Sequence, residues 1–339
     1  MKDTDLVATA RALVADGRGI LAADESTGTI GKRFEAINVA STADSRRAYR
    51  EVLFTTPGLG EFVSGVILYD ETLRQSAADG RPFREVLKAQ NIMPGIKVDT
   101  GAKPLAGSPN ETVTEGLDGL ADRLKEYVKL GARFAKWRAV IRIGSGLPTP
   151  YCLDVNAHAL ARYARLCQDA GVVPIVEPEV LMDGDHSIDA CDRASHDTFH
   201  AVFHALYEQG VSLEGMLLKP NMVTSGKSFA SQASVDEVAA RTVRCLSRTV
   251  PPAVPGIVFL SGGQSEKLAT QHLNAMNALS GTRPWKLSFS YGRALQDQAL
   301  KRWKGAKENT AAAQAALKLR AKLNSAASLG CYRPEAEAA

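Results

Sequence analysis

At 339 residues the chain is long enough for two average domains or one large α/β barrel. Its 45% hydrophobic and 23% charged residues, with every long apolar stretch broken by charge before the ~18 residues of a membrane span, exclude a disordered chain and a transmembrane one. A net charge of +4 spread over dispersed basic residues, with only 6% aromatics, makes nucleic acid a weak option and fits a site for small anionic substrates as well, and five scattered cysteines without a C-x-x-C indicate neither a disulfide framework nor a zinc knuckle.

In chain order, residues 1–19 mix acids, bases and alanines, lack the apolar core of a signal peptide and read as an amphipathic helix, which predicts a cytoplasmic protein. Eight short β-rich runs follow, at 19–24, 65–70, 94–99, 133–138, 172–178, 214–220, 256–261 and 285–290. Each is an apolar run bounded by Gly, Pro or charge, the pattern of a buried parallel strand. Helical spacing fills most of the gaps, at 111–131, 155–170, 233–248, 264–279 and 307–328, with Asp185, Ser234 and Asn309 as candidate caps. Eight strands alternating with helices predict an α/β fold, a closed (β/α)8 TIM barrel, with an open doubly wound sheet as the alternative. No strand is followed by the G-x-G-x-x-G turn of a dinucleotide fold. The excess over a minimal barrel falls in the N-terminal helix, residues 31–64 and the helices after 292, so 1–330 reads as one barrel domain and 331–339 as a disordered tail.

A buried strand should be apolar, so charge inside one needs a reason. Here strands end in Asp24, Asp70, Lys97, Lys136 with Arg138, Glu177 with Glu179, Lys219, Ser261 and Ser290. In a barrel these ends converge on one mouth. Lys136 and Arg138 lie two apart and face one side, as do Glu177 and Glu179. Lys136 in RFAKW and Lys219 in MLLKP sit in the most apolar runs, where a lysine is rarely buried without a partner. Asp70 and Asp99 read instead as solvated loop starts. Several lysines and carboxylates around one mouth suggest Schiff-base chemistry, with Lys219 attacking a carbonyl, Lys136 and Lys97 as cations favouring its neutral form, and carboxylates moving protons.

Two loops suggest phosphate. LSGGQS at 260–265 and SYGRAL at 290–295 follow the last two predicted strands and open helices, where glycines let backbone N–H groups approach an anion and Arg293 adds a fork of donors. ESTGTIGKR at 25–33 gathers Ser, Thr, Gly, Lys and Arg after the first strand. Phosphate sites across the mouth from each other would suit a bisphosphate. SGKS at 225–228 fails as a P-loop, because residue 221 is Asn where Gly should stand. His196, His200 and His204, at helical spacing, read as a solvated helix face rather than a metal site.

Together LAADESTGTIGKR, GIKVD, FAKWR, PIVEPE, LLKPNMV, FLSGGQS and SFSYGRAL resemble, in order and over about residues 10–330, the class I fructose-1,6-bisphosphate aldolases of eukaryotic type. The resemblance implies a TIM barrel, a homotetramer, a sugar bisphosphate substrate, no metal and no organic cofactor. It implies Lys219 as the Schiff-base lysine, Glu177 as the proton-transfer residue of imine formation, and Glu179 as its partner. Asp24 would take the proton from the C4 hydroxyl, and Lys136, with Lys97 beside it, would polarise substrate hydroxyls. Ser261, Gly262, Gly263, Ser290, Gly292 and Arg293 would hold the ketose-side phosphate. Ser26, Thr29 and Arg33 would contact the other phosphate, and Arg138 belongs to the same substrate-binding set. Many animal members end in a tyrosine that folds over the site, whereas the last tyrosine here is Tyr332. A transaldolase-like enzyme and a non-catalytic protein that keeps the fold for binding are the competing readings.

Overall fold

The computed structural model describes residues 3–338. Its strands are β1 (Gly19–Ala23), β2 (Val63–Leu68), β3 (Met93–Lys97), β4 (Gly101–Pro104), β5 (Thr112–Glu115), β6 (Phe134–Ile141), β7 (Val173–Val180), β8 (Leu217–Leu218), β9 (Gly256–Phe259) and β10 (Lys286–Tyr291). Its helices are α1 (Asp3–Leu13), α2 (Thr27–Glu35), α3 (Ala43–Phe54), α4 (Asp70–Arg74), α5 (Phe83–Lys88), α6 (Leu120–Lys129), α7 (Pro150–Asp169), α8 (Ile188–Glu208), α9 (Val235–Thr249), α10 (Glu266–Ala278), α11 (Arg293–Trp303) and α12 (Thr310–Ser328). Eight strands close a parallel barrel in the order β1-β2-β3-β6-β7-β8-β9-β10, with β10 pairing back to β1. This is the predicted TIM barrel, and closure removes the sheet edges that the open alternative would leave.

Strand alternation sorts the barrel interior into layers. Phe134, Lys136 and Arg138 follow one another along β6, as do Val173, Ile175, Glu177 and Glu179 along β7. The lower layers are apolar: Ile20, Ala22, Ile67, Phe134, Val173, Ile175, Leu217 and Val258 form one cluster with Leu6, Ala10, Leu13 and Val14 from α1 and the turn after it. The first helix therefore stops the N-terminal end of the barrel. Ser64 Oγ ties it down by donating to Leu13 O at 2.5 Å. Each fully buried Leu or Ile here contributes about 2 kcal/mol. A larger apolar cluster joins the outer strand faces to the helices and takes in all three tryptophans, with Trp137 stacked on Tyr163 at 5.6 Å.

Several local expectations are corrected. The stretch 111–131 is not one helix: its first part is β5, which pairs antiparallel with β4, and α6 begins only at Leu120. Thr114 Oγ1 donates to Arg138 O at 2.8 Å, so a hydrogen bond to the barrel wall overrides the helical spacing of Val113 and Leu117. The cap of α8 is Ser187, which accepts from Ala190 N–H, rather than Asp185. Asn309 precedes α12 without a side-chain capping bond, whereas Ser234 caps α9 as expected. The tail also differs. Pro334–Ala338 forms a 3-10 turn, Glu337 pairs with the buried Arg320 at 2.6 Å, and Tyr332 donates to Glu337 at 3.0 Å. An alanine- and glutamate-rich composition suggested disorder, but Arg320 supplies a cation that orders the segment. Tyr332 packs beside α10, its amide donating to Asn274 Oδ1 at 2.9 Å.

Candidate active site

The charged residues of the mouth stand directly on the apolar layers. Lys136, Glu177 and Lys219 are each 3% exposed. Lys219 extends the inward column of β8 just past Leu218, and its amide donates to Val176 O at 2.8 Å. Asp24 immediately follows β1, and Lys97 ends β3. The side chains form a chain of ion pairs. Lys219 Nζ lies 3.1 Å from Glu177 Oε1, Glu177 Oε2 lies 3.3 Å from Lys136 Nζ, and Lys136 Nζ lies 2.7 Å from Asp24 Oδ2. Glu179 turns to Arg138, with which it forms an ion pair, so it is not a direct partner of Lys219 in this arrangement. Lys97 Nζ is held 3.1 Å from Asp99. Asp99 itself is buried and also accepts the amides of Gly101 and Arg138, which corrects its reading as a solvated loop start. Asp70 does fit that reading, pairing with Arg74 on a half-exposed helix.

Burial alone would raise the carboxyl pKa of Asp24, yet Lys136, Lys219 and Lys97 outweigh it and hold Asp24 well below its ordinary value. Glu177 is likewise lowered, with burial opposed by Lys136 and Lys219. Burial opposes the charge on Lys136, but Asp24 and Glu177 dominate and hold its pKa far above the ordinary range. The resting mouth thus carries ionised carboxylates bridged by an ammonium. Glu177 has an ammonium on each oxygen, so it is placed to accept a proton from Lys219 on one side while Lys136 holds its charge on the other.

A cavity of about 350 Å³ opens over this chain, lined by Asp24, Ser26, Thr29, Arg33, Lys97, Lys136, Arg138, Glu177, Glu179 and Lys219 and by Ser261, Gly262, Gly263, Ser290, Gly292 and Arg293. Every predicted site residue borders it. Gly262 and Gly263 adopt φ of +59° and +90°, which favours glycine, in a turn closed by Gln264 N–H to Ser261 O at 3.0 Å. Ser290 Oγ is buried without a partner, and Gly292 begins α11. The segment 25–33 is placed differently from the expectation. Arg33 pairs with Glu25, which also holds Arg50 at 2.6 Å and Gln296 at 3.0 Å. A Cβ on Gly292 would lie 3.8 Å from Arg33 Nη2, so this segment adjoins the β10 loop instead of facing it across the mouth. The cause is closure, which makes β1 and β10 neighbours. In strand order, the cations opposite the β9 and β10 loops are Lys97 on β3 and Arg138 on β6.

Family comparison decides what this mouth belongs to. Residues 5–339 match the model of the family described as fructose-bisphosphate aldolase class-I. The chain belongs to the class-I fructose-bisphosphate aldolases. It is 57% identical over 334 residues to a probable fructose-bisphosphate aldolase class 1 of Xanthomonas campestris pv. campestris, covering 98% of this chain and 100% of that one. It is 54% identical to the cytosolic fructose-bisphosphate aldolase 4 of Arabidopsis thaliana, covering 98% and 85%. A solved fructose-bisphosphate aldolase from Plasmodium falciparum superposes with a TM-score of 0.96 at 52% identity, covering 98% and 96%. Class-I aldolases are lyases that cleave a sugar bisphosphate through a Schiff base without a metal. No helix among the described residues is long and apolar enough to cross a membrane.

Sequence reasoning missed Glu25, Arg50, Gln296, Asp183 and Lys227 around the mouth. Glu25 was visible as a charge directly after Asp24, and Lys227 as the lysine of SGKS, but neither pairing could be read before the chain was closed into a barrel. The lowered pKa values of Asp24, Glu177 and the buried Glu25 have a measurable consequence. Groups lowered on folding stabilise the fold fully above their ordinary values of 3.8 for Asp and 4.5 for Glu, and that contribution is lost as pH falls through the lower folded-state values. The urea midpoint should decline from about pH 6.5, where burial that lowers His272 to about 4 begins to cost stability, and fall steeply below about 4 as the carboxylate contribution is lost. A midpoint flat down to pH 3 would contradict the ion-pair geometry.

Proposed function

We propose that Lys219, Glu177, Asp24 and Lys136 carry the aldolase reaction of this chain. The observation that supports the reading is the continuous chain Lys219–Glu177–Lys136–Asp24 at the open end of the barrel, with Lys219, Glu177 and Lys136 buried. Lys219 loses a proton to Glu177 and attacks the C2 ketone of open-chain fructose 1,6-bisphosphate. The amine's second proton passes to the former ketone oxygen, Glu177 returns the first to the same oxygen, and it leaves as water, so that the protonated imine forms. Asp24 takes the proton from the C4 hydroxyl, while Lys136 next to it stabilises the oxygen as charge develops there. The C3–C4 bond breaks, its electrons pass into the iminium, and glyceraldehyde 3-phosphate leaves. The enamine is protonated at C3 and hydrolysed to dihydroxyacetone phosphate, freeing Lys219.

The phosphates hold the sugar in reacting geometry. Ser261, Gly262, Gly263, Ser290, Gly292 and Arg293 take the ketose-side phosphate. Lys97 and Arg138 opposite take the other, and Ser26, Thr29 and Arg33 line the cavity beside the β10 loop. We further propose a homotetramer in the cytoplasm. The cytoplasmic part is supported by relatives described as cytosolic, and the tetramer rests on the family resemblance alone.

The test is borohydride reduction in the presence of dihydroxyacetone phosphate, followed by peptide mapping. The adduct is expected on Lys219. A stable adduct on another lysine would refute the assignment. Turnover should be unchanged in excess EDTA, and a strong loss would reject a metal-free site. Release of both triose phosphates without an acceptor sugar separates aldolase from transaldolase-like chemistry.

A further inference from the structure

The segment 225–228, which has no role in the reaction above, runs beside the mouth, and its Lys227 lines the cavity. Three backbone hydrogen bonds join it to the loop after β7: Gly226 N–H to His186 O at 2.8 Å, Lys227 N–H to Met182 O at 2.8 Å and Ser228 N–H to Gly184 O at 2.9 Å. The approach is so close that a Cβ on Gly226 would lie 2.4 Å from Gly184 O, which only glycine permits. The backbone thus carries Lys227 over the turn of Ser261–Gln264. There Lys227 Nζ pairs with Asp183 Oδ1 at 2.8 Å.

The same ammonium stands beside a second cation. A Cβ on Gly263 would lie 2.7 Å from Lys227 Nζ and 3.0 Å from Arg293 Nη2, so both cations reach one point above the glycine turn. Nearby carboxylates are committed elsewhere, Glu25 to Arg33 and Arg50 and Asp297 to Lys301, and among the described residues none pairs with Arg293. Ser290 Oγ, buried and unpartnered, lines the same cavity. Two cations held together with a free hydroxyl, and a single carboxylate that pairs with only one of them, form a cradle for an anion with more than one negative charge.

We infer that Lys227 is a further ligand of the ketose-side phosphate, paired with Asp183 in the empty site and transferred to the phosphate when substrate binds. The inference rests on the reading of the Ser261–Gly263 and Arg293 cluster as a phosphate site. Asp183 then acts as a competitor: its carboxylate and the phosphate seek the same ammonium, so it sets how tightly the phosphate is held.

The experiment measures, on the full-length enzyme, the KM for fructose 1,6-bisphosphate and the competitive inhibition constant of inorganic phosphate. Lys227→Met is expected to raise both about tenfold with a much smaller change in kcat, because a charge-assisted contact to a bound phosphate is lost. Lys227→Arg should recover most of the affinity. Asp183→Asn should leave the inhibition constant unchanged or lower it, because the competing carboxylate is gone. An ion pair that merely braces the two loops would move both variants the same way, so weaker phosphate binding in Asp183→Asn as well as in Lys227→Met overturns the inference. It is also overturned if Lys227→Met leaves both constants within about twofold of the parent while Arg293→Ala weakens them. If Arg293→Ala has no effect either, the phosphate site itself is misplaced.

Discussion

Lys219→Met is expected to reduce cleavage of fructose 1,6-bisphosphate by at least ~10⁴-fold and to abolish the borohydride adduct. Methionine nearly fills the volume of the lysine stem, so the packing against the β8 column is kept and the amine alone is removed. Without the amine no imine forms, and the electrons of the breaking C3–C4 bond have no acceptor. The remaining Lys136, Asp24 and phosphate-binding groups still bind the sugar, so binding of substrate or product to the variant, measured by calorimetry, should survive. Removing Lys219 takes one of two cations from Glu177, which keeps Lys136 at 3.3 Å. The fold should therefore persist, with a circular dichroism spectrum like that of the parent. Turnover within tenfold of the parent would end the imine assignment.

Asp24→Asn is expected to cost about 10²- to 10⁴-fold in cleavage while leaving the imine intact. Asparagine keeps the shape but cannot accept the C4 hydroxyl proton. Lys136 loses its 2.7 Å partner and keeps Glu177. The two steps use opposite ends of the ion-pair chain, since Lys219 follows β8 and Glu177 lies on the adjacent β7 whereas Asp24 follows β1. Borohydride should therefore still trap dihydroxyacetone phosphate on the variant. If trapping disappeared together with cleavage, Asp24 would belong to imine formation and the division of labour would be wrong. If cleavage stayed near the parent rate, another group would be the base.

The fold was legible because each strand is a short apolar run ending in a polar residue, and the count of such runs matches the closed barrel. The catalytic side chains were legible for the same reason: a lysine in MLLKP or FAKW breaks an apolar pattern at considerable cost unless a partner stands opposite. What could not be read was pairing across the chain. Glu25 gathers Arg33, Arg50 and Gln296 from three helices, and nothing in its local sequence announces them. The β4–β5 hairpin escaped because Val113, Leu117 and Leu120 carry a helical spacing, while the preference that decides the matter comes from Thr114 meeting the barrel wall. Position around a ring is likewise invisible locally. The first and last strands meet only on closure, which moved Arg33 from the far rim to the neighbourhood of Gly292.

Leu6, Ala10 and Leu13 of the first helix pack beneath the apolar layers, so the interior under Lys219 is filled and the amine is reached from the mouth. Sugar coming in, aldehyde going out and the water that finally frees the amine must all use it, one after another. While the six-carbon chain fills that entrance, the iminium is shielded from hydrolysis from behind as well as in front. Protection of the covalent adduct from premature breakdown therefore begins with the packed layers beneath the amine.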